Sequence, residues 1–159
     1  MSGKLAREIH RVRPFDCLEQ EVSLNILRTA DYLMRGMEEF LKTYGLSGVQ
    51  FNVLRILRGA GEAGMACKAI AEHMITRDPD VTRLLDRLPA RGLIQRTRDR
   101  RDRRVVASRI TPEGLALLEK MDEPVLTFHR RQLSHVPVEQ LRAAVDLMEE
   151  IRHAEAGDL

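Results

Sequence analysis

The chain has 159 residues, 43% hydrophobic and 31% charged, with only 4% aromatic residues and no Trp. At this length roughly 70% of the unfolded surface can be buried, so neither disulfides nor a structural metal is required, and the abundance of Leu, Ala, Arg, Glu and Met favours helices over sheets. Two isolated cysteines, Cys17 and Cys67, exclude a disulfide framework and a CxxC-type zinc site. No apolar run nears the length of a membrane span and the N-terminus has no signal-peptide core, so the expectation is a cytoplasmic chain with reduced thiols and no membrane partner.

Residues 4–16 are basic and interrupted by Pro14, and read as part of a loosely held N-terminal arm, residues 1–17. From Leu18 to Tyr44, apolar residues recur at steps of three and four (Leu18, Val22, Ile26, Ala30, Leu33, Met37, Phe40), which predicts one long amphipathic helix. Gly45 stands as its C′ stop. In "LSGVQFNVLRIL", Ser47 as N-cap with Gln50 three residues later makes a capping box ahead of Phe51, Val53, Leu54 and Leu57. "GAGEAG" (59–64) ends that helix as a flexible link, and a short helix near Ala66–Met74 follows without a polar N-cap.

"TRDPDVTRLLDRLPARGLI" predicts a second capped helix: Asp78 can cap it, Pro79 suits its first position, and Asp80 complements the helix dipole. Val81, Leu84, Leu85 and Leu88 make the buried stripe, whereas Thr82, Arg83, Asp86 and Arg87 lie largely off it. Pro89 should kink or end the helix, and Gly92 closes the turn. The period then changes. Leu93 to Arg98 and Arg103 to Ile110 each accept an extended reading around "RDRRD", a two-stranded hairpin with a charged tip. Thr111 caps a helix with Pro112 at its first position, running through Leu115, Leu118, Met121 and Val125. After a break near His135–Pro137, a last helix carries Leu141, Ala144, Val145, Met148 and Ile151.

The formal net charge of +2 hides a division along this order. Residues 77–104 hold ten arginines against five aspartates, while acids outnumber bases elsewhere. A charge run such as "RTRDRRDRR" is often only a solvated surface. Placed after a capped helix, its concentration of positive charge points to nucleic acid. Helix, turn, helix and charged hairpin over 49–110 are the order of a winged helix-turn-helix. Such a helix fits the major groove of B-DNA, and an Arg-rich tip can enter the minor groove, where the potential is most negative.

The segment from Asp78 to Gly114 resembles the recognition helix and wing of the MarR family of bacterial transcription regulators. The resemblance rests on V-T-R-L-x-D-R-L (81–88), R-G-L-I (91–94), D-x-R-D-x-R (99–104) and I-T-x-x-G (110–114), with their spacing. It extends to "YGLSGVQFNVLRIL" and to the flanking helices. The resemblance implies a mainly α fold with a small β-hairpin wing. Residues 46–111 would form the DNA-binding lobe, and 18–45 with 112–159 a helical dimerisation region. It implies a homodimer, most often a repressor, on a pseudo-palindromic double-stranded operator, with an aromatic or phenolic effector entering between the dimerisation helices and the lobe. Carried over by position, Thr82 and Arg83 contact bases or phosphates, with Arg77, Pro79 and Asp80 at the helix entrance and Arg87 on the same helix. In the wing, Arg101 and Arg103 enter the minor groove beside Arg98, Arg100 and Arg104, and Asp99 braces the turn. Many family members carry Ser-Arg-Ser-Thr where this chain has Arg77-Asp78-Pro79-Asp80, so base preference does not transfer.

Other readings stand beside this one, and the resemblance itself suggests one of them, since some members of the family sense peroxide through a cysteine near the start of the first helix. Cys17 fits a redox sensor, but the acids of "FDCLEQE" disfavour a thiolate there and suit a structural thiol. Cys67 suits packing. The five histidines show no metal-ligand spacing. The methionines at 34, 37, 65, 74, 121 and 148 fit core positions or the lining of an effector cleft. No phosphate loop or nucleophile elbow marks an enzyme, and no cofactor is implied. A winged-helix module for an acidic protein partner is the remaining alternative.

Overall fold

The computed structural model describes residues 4–76, 91–98 and 106–153. They form α1 (Lys4–Glu8), α2 (Leu18–Lys42), α3 (Gly48–Ala60), a 3-10 turn (Gly61–Ala63), β1 (Met65–Ala66), α4 (Cys67–His73), β2 (Ile94–Arg98), β3 (Val106–Ile110), α5 (Pro112–Gln132) and α6 (Val138–Arg152). The chain divides into two compact units, Met1–Glu119 and Lys120–Leu159.

The corner between α2 and α3 follows its sequence signals closely. Gly45 adopts φ +68, and its N–H bonds the Lys42 carbonyl at 2.9 Å while Leu46 N–H reaches back to Leu41 O at 3.1 Å. Those two bonds are a Schellman close, and Leu41 and Leu46 are both buried beside it. Two residues later Ser47 opens α3. Gln50 N–H donates to Ser47 Oγ at 3.2 Å, and Ser47 N–H donates to Gln50 Oε1 at 3.0 Å. Both halves of the expected capping box are made.

Helix α3 is the centre of the first unit. Its buried stripe is Val53, Leu54 and Leu57, and it packs on α2, α4 and β3. Ile70 of α4, Ile94 of β2 and Leu118 of α5 are buried as well. Each fully buried Leu or Ile contributes about 1.5–3 kcal/mol of transfer free energy. The sheet is antiparallel in the order β1-β3-β2. Ile94 pairs with Ile110 and Arg98 with Val106, so the hairpin expected from the sequence is present in its described part. Its third strand, β1, pairs Met65 with Ser108 and Ala66 with Ala107. Two residues carry no alternation pattern, so this strand had no sequence signal.

The N-terminal stretch is better held than its composition suggests. Leu5 and Ala6 of α1 are buried, and Arg28 of α2 lies 3.9 Å from Glu8. Arg11 bonds the carbonyls of Arg13 and Pro14, stacks over the Phe15 ring at 5.0 Å and meets Asp16 at 3.5 Å. A guanidinium with several donors and a flat face can gather a Pro-broken segment that has no regular structure. The expectation of a loosely held arm is corrected on that ground.

Downstream, Thr111 caps α5 as expected, accepting from Gly114 N–H at 3.1 Å while its own hydroxyl donates to Gly92 O at 2.6 Å. Gly114 leaves no room for a side chain, because a Cβ there would overlap Leu93 O and meet Ile110 Cγ1 at 2.7 Å. That close approach explains the glycine of "ITPEG". Helix α5 continues through Pro124 to Gln132, stopping just before the break expected near His135–Pro137, even though the proline removes one backbone donor. In α6 the described residues include none that is buried. No helix among the described residues is long and apolar enough to cross a membrane.

Candidate functional site

The segment 77–90 and the wing tip 99–105 lie outside the described residues, and with them Arg77, Pro79, Asp80, Thr82, Arg83, Arg87, Asp99, Arg100, Arg101, Arg103 and Arg104. For Arg98, the backbone position is described, at the last register pair of the hairpin. The frame that carries these segments is described on both sides. Before 77–90, Met74 closes α4 and its Sδ accepts from Asn52 Nδ2 of α3 at 3.4 Å. After it, the Arg91 guanidinium donates to Gly45 O in the α2–α3 corner, and Thr111 holds Gly92. Helix α3 and its N-terminal corner therefore fasten both flanks of the segment the sequence assigns to DNA.

The hairpin alternates as a half-buried pair of strands should. Ile94, Arg96, Ser108 and Ile110 share the inner face; Gln95, Thr97, Ala107 and Arg109 share the outer one. Ile94 and Ser108 are buried. The inner apolar pair at the base fixes the register of the described part of the hairpin, up to Arg98 and Val106. Arg109 lies along Gly64, where a Cβ would meet Ser108 O at 2.7 Å, so the third strand can approach only because position 64 is glycine.

A second feature adjoins the entrance to 77–90. Met34, Met37 and Glu38 of α2, Gly48, Val49 and Asn52 of α3, and Met74, Ile75 and Thr76 enclose an open cleft of about 150 Å³. Three of the six methionines named from the sequence, Met34, Met37 and Met74, meet there. The spacing of Met34 and Met37 on one helical turn puts them on one face. Glu38 carries the polar side: its Oε1 accepts from Gly48 N–H at 2.7 Å. Sequence reasoning missed Glu38, Asn52, Ile75 and Thr76. Nothing local marks them, since the cleft exists only once α2 and α3 cross.

The remaining candidates stay apart from this frame. Cys17 is exposed and Cys67 half-buried. Cys17 stands at the N-cap of α2 without a capping bond. A backbone hydrogen bond, with a second from the Cys17 side chain, holds the Glu19 carboxyl below its ordinary range. The Cys17 thiol is thus turned toward an acid rather than a base. Among the described residues no group of three His, Cys, Asp or Glu could hold a metal.

Residues 46–106 match the family model described as the MarR family. A crystal structure of a MarR transcription factor from Planctomyces limnophilus is 44% identical, with 85% of this chain and 98% of that one covered and a TM-score of 0.67. The HTH-type transcriptional repressor MdtR of Bacillus subtilis (strain 168) is 27% identical over 143 residues, 90% of this chain and 91% of the relative. The fold is also that of Bordetella bronchiseptica BpsR, with TM-score 0.73, 24% identity and coverage of 83% and 98%. That structure is described with the regulation of BpsR's DNA binding by 6-hydroxynicotinic acid.

Proposed function

The chain belongs to the MarR family of DNA-binding transcription regulators, and from that premise we propose that it is a homodimeric repressor whose hold on a pseudo-palindromic operator is released by a small molecule. Segment 77–90, with Thr82 and Arg83 foremost, lies in the major groove, with Arg77, Pro79 and Asp80 at its entrance. Arg101 and Arg103 take the wing into the minor groove, flanked by Arg98, Arg100 and Arg104, while Asp99 braces the turn. The second copy joins through the helices outside the lobe, α6 above all, none of whose residues is fully buried within one chain.

One observation carries the effector part of this reading. The cleft is walled on one side by α2 and on the other by Met74, Ile75 and Thr76, the residues that run directly into 77–90. A molecule that fills it acts on the entrance of the DNA-reading segment and on the Asn52–Met74 hydrogen bond at once. About 150 Å³ is the size of an engineered apolar cavity that holds benzene, so the effector is a single-ring aromatic or phenolic compound. A ligand moves the equilibrium only by its preference for one state; here the preferred state is the one in which the entrance has shifted off the DNA.

The wing supplies the test of DNA binding. Arg101→Ala or Arg103→Ala weakens binding to all duplexes and flattens the dependence of log affinity on log salt by about 0.9 for each phosphate left without its arginine. Fluorescence anisotropy on a labelled palindromic duplex over a salt series measures it, and an unchanged slope removes the wing from the mechanism. The redox alternative is not favoured by the partner of Cys17, and the protein-module alternative is not favoured by the family.

A further inference from the structure

We propose that the molecule this cleft accepts is a single-ring organic cation, an aromatic ammonium or amidinium, and that Glu38 is its counter-ion. The inference rests on the reading of the cleft as the effector site and adds the charge of the ligand.

The described lining holds one ionisable side chain, Glu38, and no Lys, Arg or His. The rest of the wall is apolar or neutral, chiefly Met34, Met37, Val49 and Ile75. One cationic feature is still present, because α3 begins here, and a helix N-terminus ordinarily draws an anion through its free amides and its dipole. In this chain three of those amides are already used. Gly48 N–H is held by Glu38 Oε1 at 2.7 Å, and Gln50 N–H by Ser47 Oγ at 3.2 Å. Ser47 N–H, at the cap itself, donates to Gln50 Oε1 at 3.0 Å.

Glu38 therefore occupies the place a ligand carboxylate would take. An aromatic acid entering the cleft must set its negative charge beside another one in a half-buried, largely apolar setting, where like charges are poorly screened. A cation meets the opposite situation. A carboxylate has about four acceptor positions on two oxygens, and the Gly48 bond takes one of them. Thioethers at Met34, Met37 and Met74 offer polarisable contact to the ring. The cleft thus combines a one-ring volume, soft walls and a fixed negative charge at one edge.

Three probes that share a ring and differ in charge separate the possibilities: benzylammonium, benzyl alcohol and benzoate. Titration calorimetry on the full chain is expected to rank them in that order, with benzylammonium binding about tenfold or more tightly than benzoate. Glu38→Gln keeps a carbonyl for Gly48 N–H and removes the charge, and should bring the three within about threefold. The wild-type ranking is a test in itself should the variant fail to fold. Benzoate binding as tightly as benzylammonium overturns the proposal, and so does a cation preference that Glu38→Gln leaves intact. Operator release by the same probes, followed by anisotropy, reads the effector site separately. Selective binding of the cation without release sustains the charge preference and sinks the effector reading; release by benzoate alone does the reverse.

Discussion

Helices α3 and α6 are nearly matched in length, 13 and 15 residues, and each carries apolar residues along one side. What they do with that side differs. Val53, Leu54 and Leu57 of α3 are fully buried within one chain. In α6 none is buried: Val145 is 56% and Ile151 44% exposed, and Leu141 and Met148 are half-buried. Apolar periodicity says that a helix has a face to bury, but not where its partner comes from. In α3 the partner is α2, α4 and β3 of the same chain; for α6 the proposal is a second copy. The two helices also serve different links of the function. One fastens the flanks of segment 77–90 through Asn52 and the α2–α3 corner, and in the proposed dimer the other would set the spacing of two such segments on the operator.

The sharpest way to break this comparison is to damage each face in turn. Leu54→Ala removes a fully buried side chain from the centre of the first unit and should cost about 2–5 kcal/mol, the range for leucine deletions that leave a cavity. Urea unfolding measures it, and a loss under about 1 kcal/mol would mean that α3 is not the core. The double change Leu147→Asp with Ile151→Asp places charges four residues apart on one face of α6. It should weaken dimerisation about tenfold to a hundredfold, equivalent to about 1.4–2.8 kcal/mol, and leave the helical content of the chain intact. Sedimentation over a concentration series reads the first quantity and circular dichroism the second. A double variant that remained as tight a dimer would move the interface off α6.

How far the sequence carried depends on whether the deciding interaction is local. The α2–α3 corner was legible to the residue, because Gly45, Ser47 and Gln50 act on backbone groups within five positions of themselves. The same is true of Thr111, whose cap was expected from "ITPEG". The cleft was legible only in part. Met34, Met37 and Met74 could be named as candidates, but the residues that give it its charge and polarity, Glu38 and Asn52, belong to two helices whose crossing no periodicity encodes. The strand β1 and the gathered N-terminus escaped for the same reason. A two-residue strand exists only because Ser108 and Ala107 lie opposite it, and the arm is held by the buried Leu5 and Ala6 together with one arginine that has many partners. Pro14 and the basic charge around it suggested a loose segment, and Arg11 reversed that.

The helix starts extend the contrast at a smaller scale. Ser47 gives α3 a side-chain acceptor, whereas α6 opens at Pro137 with no side-chain cap. Ser47→Ala removes the acceptor for Gln50 N–H and half of a reciprocal pair, and should cost about 1 kcal/mol. Pro137→Ser looks like the mirror experiment, since it would supply the missing acceptor, worth about 0.5–2 kcal/mol relative to an uncapped end. It also returns freedom to the unfolded chain that proline had removed, a loss of about 0.4–1 kcal/mol. The two terms oppose each other, so the expected change in urea midpoint is near zero. A clear destabilisation by Pro137→Ser would show that the rigidity of the α5–α6 connection matters more than its hydrogen bonding. A clear gain would show that the α6 start is limited by its missing cap, and that the two helices differ in their ends as well as in their faces.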